Sequence, residues 1–385
     1  IVPGSNFINT VRLSGNTTRE AITFLPTNSS AQYVIRLQAT KCIILDSLTI
    51  NNTGTSFGTG VHITSLSDSN FVQNSIINIS LASTSFSNSA GIAISTIAAN
   101  VTGAGNNGNT NTINNNTING GYFGITAIGT NTTTFCLRNI ITNNILNGQA
   151  YYGLYHFYQN FTKVNGNTID NMLSANTNAY AMRFENVDNF EINKNKINRF
   201  GQYGMYFNGA NHQGGSGTNR SQIINNMIGG IAYNANPYGV YFQIGGAPST
   251  FRYVDFWHNT IHLNNAGGNT GSIFFFQNFS ASTSIVSLDF RNNTFTANGN
   301  TTTYFYAYNG GYGAPFTSFL NNNIYSISNP GGSSVTMNTT SSSGNSWISA
   351  SFGGVNTISC KGLDPVFLNT STNLHTLSTP LSNVG

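Results

Sequence analysis

Residues 115–119 read NNTIN. Two adjacent amides followed by β-branched residues signal a sharp turn running into a short strand. The pattern returns as GNTID at 166–170, KNKIN at 194–198, NNMIG at 225–229, HNTIH at 258–262, NNTFT at 292–296 and NNNIY at 321–325. Looser copies are LDSLT at 45–49, QNSII at 73–77 and TNNIL at 142–146. The spacing is mostly 24–34 residues, with one longer interval between QNSII and NNTIN. A second motif interleaves with the first: GVHI at 60, GIAI at 91, GITA at 124, GLYH at 153, AMRF at 181, GMYF at 204, GVYF at 239, SIFF at 272 and YFYA at 304. No amphipathic helix of more than about ten residues emerges. One repeat of about 30 residues with two or three short strands cannot bury its own apolar side, so repeats must stack. The predicted fold is all-β, a single-stranded parallel β-helix of about 10–11 coils. Asn tolerates the left-handed backbone of the turns, and stacked Asn side chains can hydrogen-bond along the axis.

Composition agrees with this. The 385 residues are only 6% charged, against roughly 25% in ordinary domains. Asn alone accounts for about one residue in six, while 39% hydrophobic and 12% aromatic content supplies a large core. The net charge of +4 is spread over 14 Lys and Arg with no basic run, which argues against a nucleic-acid partner. No apolar stretch approaches the ~20 residues of a transmembrane helix. The start, IVPGSNFINT, lacks the charged and apolar regions of a signal peptide and reads as a mature form or a piece of a longer chain. Cys42, Cys136 and Cys360 are odd in number and far apart, so they read as small buried hydrophobes. No phosphate-binding loop, nucleophile elbow or dinucleotide fingerprint is present, and no cofactor or metal is expected. His258 and His262 lie on a strand and turn, not on one helix face, so a metal site there is not expected.

The Asn-rich repeats resemble those of the pectate-lyase-like superfamily of right-handed parallel β-helices, over roughly residues 35–330. The opening REAITFLPTNSSAQYVIRLQATKCIILDSLTI is similar to the lead-in of such domains in large secreted bacterial surface proteins of adhesin type. The ending GLDPVFLNTSTNLHTLSTPLSNVG is similar to their closing segment, with Thr379-Pro380 in place of Ser-Pro. The resemblance implies a right-handed solenoid at the outside of a bacterial cell. It implies no single activity, because lyases, hydrolases, tailspikes and adhesins share the scaffold. The expected organisation is a lead-in and first coil over 1–34, coils over 35–328, and a loop with closing segment of the same domain over 329–385.

Aligned by column, the second motif gives an inward ladder running from Val61/Ile63 through Ile273/Phe275 to Phe305/Ala307, with His156 as the oddity. The outward residues between them are His62, Ala93, Thr126, Tyr155, Arg183, Tyr206, Tyr241, Phe274 and Tyr306. The next outward column ends in Phe157, Glu185, Asn208, Gln243, Phe276 and Tyr308. From about residue 150 onward this face is a sheet of Tyr and Phe interrupted by amides and one Arg–Glu pair. Aromatic faces suit the C–H surfaces of sugars and amides suit hydroxyls. A patch of this kind also suits a protein partner. Cover by the loop at 208–220 or by another domain of a longer chain, and plain ladder stability, are the competing readings.

A further outward column, four residues before each motif Asn, holds Lys163, Glu191, Gln222, Asp255 and Asp289. Asp255 and Asp289 would stack one coil apart, roughly 5 Å, a separation suited to a retaining glycosidase pair. Arg252 and Arg291 would instead neutralise them as an ion cluster. The sequence therefore points to a non-enzymatic, adhesin-like segment of a secreted bacterial cell-surface protein. Its aromatic strip would bind polysaccharide or a cell-surface protein, with flanking domains of a longer chain on either side. The alternatives are a polysaccharide lyase or glycoside hydrolase using Asp255 and Asp289, and a structural spacer of a surface filament.

Overall fold

The computed structural model describes residues 10–16, 19–80, 86, 88–98, 100–173, 178–210, 219–230, 234, 236–244, 251–265, 271–278 and 285–299, with short strands between 303 and 376. Side chains are described as far as Thr296. The chain divides into two compact units, Ile1–Leu173 and Ser174–Gly385.

In the first unit the coils build three parallel ladders, with six strands in each of the first two and five in the third. One ladder runs Val11–Ser14, Ile43–Asp46, Phe71–Gln73, Thr112–Asn114, Ile140–Thr142 and Lys163–Asn165. The second runs Ala21–Phe24, Thr49–Asn52, Ile76–Ile79, Thr117–Asn119, Ile145–Asn147 and Thr168–Asp170. The third runs Tyr33–Gln38, Gly58–Thr64, Ser89–Ile94, Phe123–Ile128 and Tyr152–Phe157.

The second unit repeats the plan. Tyr180–Val187, Tyr203–Ala210, Tyr238–Ile244, Gly271–Asn278 and Thr303–Asn309 pair in parallel. So do Glu191–Asn193, Ser221–Ile224, Phe251–Trp257, Ile285–Arg291, Ser318–Asn321 and Val355–Ile358. Its third ladder runs from Lys196–Ile197 to Lys361–Gly362. The described antiparallel pairs are confined to the segment 329–385: Val335–Met337 with Thr340–Ser342, and Phe367–Asn369 with Asn373–Thr376. The one described helix is a single 3₁₀ turn, Ser29–Ala31.

The NNTIN repeat now has a residue-by-residue meaning. Its first position turns the corner in left-handed backbone, as at Asn115 (φ 56°), Asn143 (57°), Asn225 (58°) and Asn292 (54°). An L-residue pays least for that conformation when it is Asn, whose side chain is short and polar. The second position is a buried amide that hydrogen-bonds along the axis. The oxygen of Asn144 accepts from the backbone N–H of Asn116 at 3.0 Å, while its Nδ2 donates to the carbonyl of Ile113 at 2.9 Å and to Oδ1 of Asn167 at 3.0 Å. In the second unit Asn195, Asn226, Asn259 and Asn293 repeat the chain, with N–H to Oδ1 distances of 3.0, 2.9 and 2.8 Å. These amides are 0–1% exposed and fully engaged, as a buried polar group must be. The fourth position points inward: Ile118, Leu146, Ile169, Ile197, Ile228, Ile261 and Phe295 are all buried.

A candidate binding face on the second unit

The outer side of strands Tyr180–Val187, Tyr203–Ala210 and Tyr238–Ile244 carries the densest group of functional side chains. Register sets Arg183, Tyr206 and Tyr241 in one row and Glu185, Asn208 and Gln243 in the next. The Tyr206 and Tyr241 rings lie 5.3 Å apart at 14°. Near-parallel rings at that separation form an offset stack.

A second tyrosine column stands beside this one. Tyr180, Tyr203 and Tyr238 stack at 4.4 and 5.3 Å, within 10° of parallel. The two columns meet edge to face: Tyr203 is at 79° to Tyr206 and 89° to Tyr241, and Tyr238 is at 84° to Tyr241. Glycine follows two of the three, Gly204 after Tyr203 and Gly239 after Tyr238, while the small Ala181 follows Tyr180. A Cβ on Gly204 would sit 2.6 Å from the carbonyl oxygen of Gly239 and 2.7 Å from Ile228 Cγ2. The backbone there approaches its neighbours too closely for any side chain, and the preceding Tyr turns outward. The sequence reading missed this column because it assumed strict two-residue alternation. The signal was present as a Tyr three residues before the outward position in three successive coils.

Arg183 closes one corner. Its guanidinium lies 5.0 Å over the Tyr180 ring and 5.2 Å over Tyr206, and it forms a salt bridge with Glu185. That combination of stacking and charge pairing is particular to Arg. Burial pushes the phenols of Tyr203, Tyr206 and Tyr241 well above the ordinary value. Neighbouring phenols add to the rise at Tyr203 and Tyr241, and Arg183 opposes it at Tyr206. All three hydroxyls stay protonated at neutral pH.

The tiling changes what the face can offer. Tyr206 and Tyr241 are only 5% and 6% exposed, with each other's ring and the rings of the second column packed against them. A ligand therefore meets ring edges and hydroxyls of the half-buried Tyr180, Tyr203 and Tyr238, the Arg183 head, and the amides of Asn208 and Gln243. It does not meet an open row of ring faces.

One expected member is in the core. Phe274 is 1% exposed, stacks on Phe242 at 5.1 Å and meets Phe256 edge-on. Register pairs Val240 with Phe274 and Tyr241 with Phe275, one residue out of step with the motif alignment. A one-residue slip exchanges the faces of a strand. Backbone register likewise pairs Phe242 with Phe276 and Phe276 with Tyr308. The side chains of Phe276, Tyr306 and Tyr308 lie outside the described residues, as do residues 211–218 of the loop expected to lie near this face.

Tyr155 and Phe157 belong to the first unit. Tyr155 is 8% exposed and stacks on Tyr152 at 5.7 Å and on Phe157 at 6.1 Å. Tyr122 and Tyr151 stack beside them at 5.3 Å and 5°, and burial lifts the Tyr122 phenol to about 12.

Asp255 and Asp289 are register partners, each 4% exposed. Arg220 Nε donates to Asp255, and Arg291 donates to Asp289 from Nε at 2.9 Å and from its terminal nitrogen at 2.6 Å. Burial pushes the Asp255 carboxyl up, Arg220 pulls it down, and Asp289 adds to the rise. The partner is Arg220, whereas the side chain of Arg252 lies outside the described residues. Arg291 also sits 5.4 Å over Trp257. Two carboxylates tied to two guanidiniums form a neutral cluster, a poor arrangement for a nucleophile that must be free.

Among the described residues no group of three His, Cys, Asp or Glu side chains is placed to hold a metal. His262 instead hydrogen-bonds Thr296 Oγ1 at 2.8 Å. Cys42 and Cys136 are buried free thiols, and Cys360 lies outside the described residues. No described helix is long and apolar enough to cross a membrane.

No protein-family model matches the sequence, and neither does any curated protein. Solved structures do match in shape. The catalytic domain of a GH87 α-1,3-glucanase in complex with tetrasaccharides aligns with a TM-score of 0.50 at 9% identity, over 94% of this chain and 70% of that one. The chain is a right-handed parallel β-helix. PfbA, a surface adhesin of Streptococcus pneumoniae, aligns with a TM-score of 0.49 at 12% identity, over 93% of this chain and 86% of that one. The A-module of the mannuronan C-5 epimerase AlgE6 of Azotobacter vinelandii gives 0.43 at 14% identity, over 92% and 91%. At such identities a likeness concerns the fold, and function must be argued from the site.

Proposed function

We propose that this β-helix is a non-enzymatic recognition segment of a secreted bacterial cell-surface protein, adhesin-like, binding polysaccharide or a surface partner through the tyrosine face of its second unit. The carrying observation is the interlocked pair of tyrosine columns with Arg183 at its corner and Asn208 and Gln243 along its edge. Rings locked edge to face lose little conformational entropy on binding, the advantage that tyrosine gives antibody paratopes. Protonated phenols, amides and one internally neutralised charge pair suit a hydroxyl-rich, weakly charged ligand. The described acidic residues give no second site of comparable quality, because Asp255 and Asp289 are held by Arg220 and Arg291.

Binding to a glycan array and to immobilised surface proteins tests the reading. Tyr203→Ala with Tyr238→Ala removes the exposed edges and leaves Tyr206 and Tyr241 in place; the expected loss of affinity is about tenfold or more. Unchanged binding would remove the tyrosine face from the account. Cleavage of any polysaccharide by the wild type, abolished by Asp289→Asn, would favour the enzymatic alternative instead.

A further inference from the structure

The first unit carries a second, chemically different face. The second ladder of that unit shows two outward columns. One is Thr49, Ile76, Thr117, Ile145 and Thr168, and the other is Asn51, Asn78, Asn119, Asn147 and Asp170, in parallel register. The amides form a surface ladder. Asn51 Nδ2 donates to Thr23 Oγ1 at 3.1 Å, Asn78 to Asn51 at 2.8 Å, Asn119 to Asn78 at 2.8 Å and Asn147 to Asn119 at 3.3 Å. Each amide has two N–H donors and two acceptor lone pairs. The ladder uses one of each at the central rungs, so every rung still presents one donor and one acceptor outward, repeated about every 4.8 Å.

At the start of this ladder the surface dips into a cavity of about 370 Å³ lined by Thr23, Asn51, Asn52, Thr53, Asn78 and Ser80, with Ile79 as the apolar member. That volume lies within the ordinary range for small-ligand sites. No lining residue carries a charge. Beside the amides, the Thr and Ile column offers β-branched methyl groups roughly 6.6 Å away along the strand. The partner chemistry that fits is a row of hydroxyls joined by C–H surfaces, without charge. We infer that the cavity and the Asn51–Asn147 ladder form a binding site for a neutral polysaccharide, seated at the cavity and running along about 14 Å of amide rungs. This inference stands independently of the tyrosine face.

Affinity electrophoresis of the full chain in gels containing soluble starch, a mixed-linkage β-glucan or galactomannan tests it, with alginate as the anionic control. The wild type should be retarded by at least one neutral polymer, and added salt should not reverse this. Two variants probe the ladder. Asn78→Leu with Asn119→Leu removes its donors. Thr117→Lys with Ile145→Lys obstructs the face from a half-buried and an exposed position without touching an amide hydrogen bond. Both should weaken retardation at least tenfold, while Tyr203→Ala with Tyr238→Ala should leave it intact. Absence of retardation in all three neutral gels would overturn the inference. So would retardation that survives the lysine variant, or that depends on the tyrosines alone.

Discussion

The two units solve one packing problem with different side chains. In the first, the paired inward columns of the Gly-containing motif are Val61, Ile92, Ile125 and Leu154 beside Ile63, Ile94, Ala127 and His156. In the second they are Met182, Met205, Val240 and Phe274 beside Phe184, Phe207 and Phe242. The residues between them change in step, from His62, Ala93 and Thr126 to Arg183, Tyr206 and Tyr241. The first three are buried rather than facing outward as expected, with His62 and Thr126 hydrogen-bonded to the carbonyls of Thr96 and Val101. The amide ladder and its left-handed corners stay the same. The coil is therefore specified at its corners, and the interior is free to vary provided each column matches itself along the axis. Phe184, Phe207 and Phe242 satisfy that condition by stacking at 5.0 Å and 15–16°, close to the inter-strand spacing of about 4.8 Å. A lone Phe among Ile neighbours would leave gaps above and below, so large rings come in runs.

The largest effect should come from breaking a run. Phe207 is fully buried between two rings, and Phe207→Ala should cost about 3–5 kcal/mol. Ile125→Val in the aliphatic column should cost about 1 kcal/mol. Hydrogen exchange would localise each loss, because a solenoid communicates mainly between neighbouring coils. Equal losses at the two sites would show that the ring column has no special dependence on continuity.

The ladder should give an intermediate effect, and the same one in both units. Asn144→Ala strands the backbone N–H of Asn116 and the carbonyl of Ile113. Asn226→Ala strands those of Asn195 and Ile192. Two orphaned buried groups should cost about 2–4 kcal/mol. Denaturant unfolding of both variants should agree within about 1 kcal/mol. A large disagreement would mean that the shared device matters more to one kind of core.

Much of this was legible in the sequence because the repeat supplies its own alignment. The corner residue, the buried amide and the inward Ile of NNTIN recur at fixed offsets, and each offset has one physical role. The reading failed where the offset was broken. At residues 272–276 a single-residue shift sent Phe274 inward, and no local propensity distinguishes one Phe of Ile273-Phe274-Phe275-Phe276 from the next. It also failed where neighbours lie diagonally across coils. Tyr180, Tyr203 and Tyr238 flank Tyr206 and Tyr241 from three residues earlier in each strand, and Arg220 reaches Asp255 from a position 35 residues earlier. Column logic predicts what stacks directly. Exposure depends on how rings cover one another, which the one-dimensional pattern does not contain.

His156 offers the smallest and most selective way to separate the units. It occupies the core position that Ala127 fills one coil earlier and Phe207 fills in the second unit. Burial lowers its imidazole from 6.5 to about 3. The unfolded chain therefore binds a proton that the folded chain refuses. Its neutral form favours folding fully above the unfolded value, and that contribution falls away as pH drops from about 6.5 toward 3. By pH 5 the loss should be about 2 kcal/mol. His156→Leu replaces the ring with the aliphatic side chain that the column otherwise favours, so it should remove this loss. Exchange protection of strand Tyr152–Phe157, compared at pH 7 and 4.5 after correction for intrinsic rates, reads the effect where it arises. The wild type should lose protection on acidification and the variant should not. His62 is lowered to about 4 by burial and by Arg36, so a residual acid sensitivity should persist around strand Gly58–Thr64 in both proteins. Equal acid sensitivity of Tyr152–Phe157 in the two proteins would mean that the core takes up the proton without cost, and would remove the imidazole from the distinction between the aliphatic and aromatic interiors.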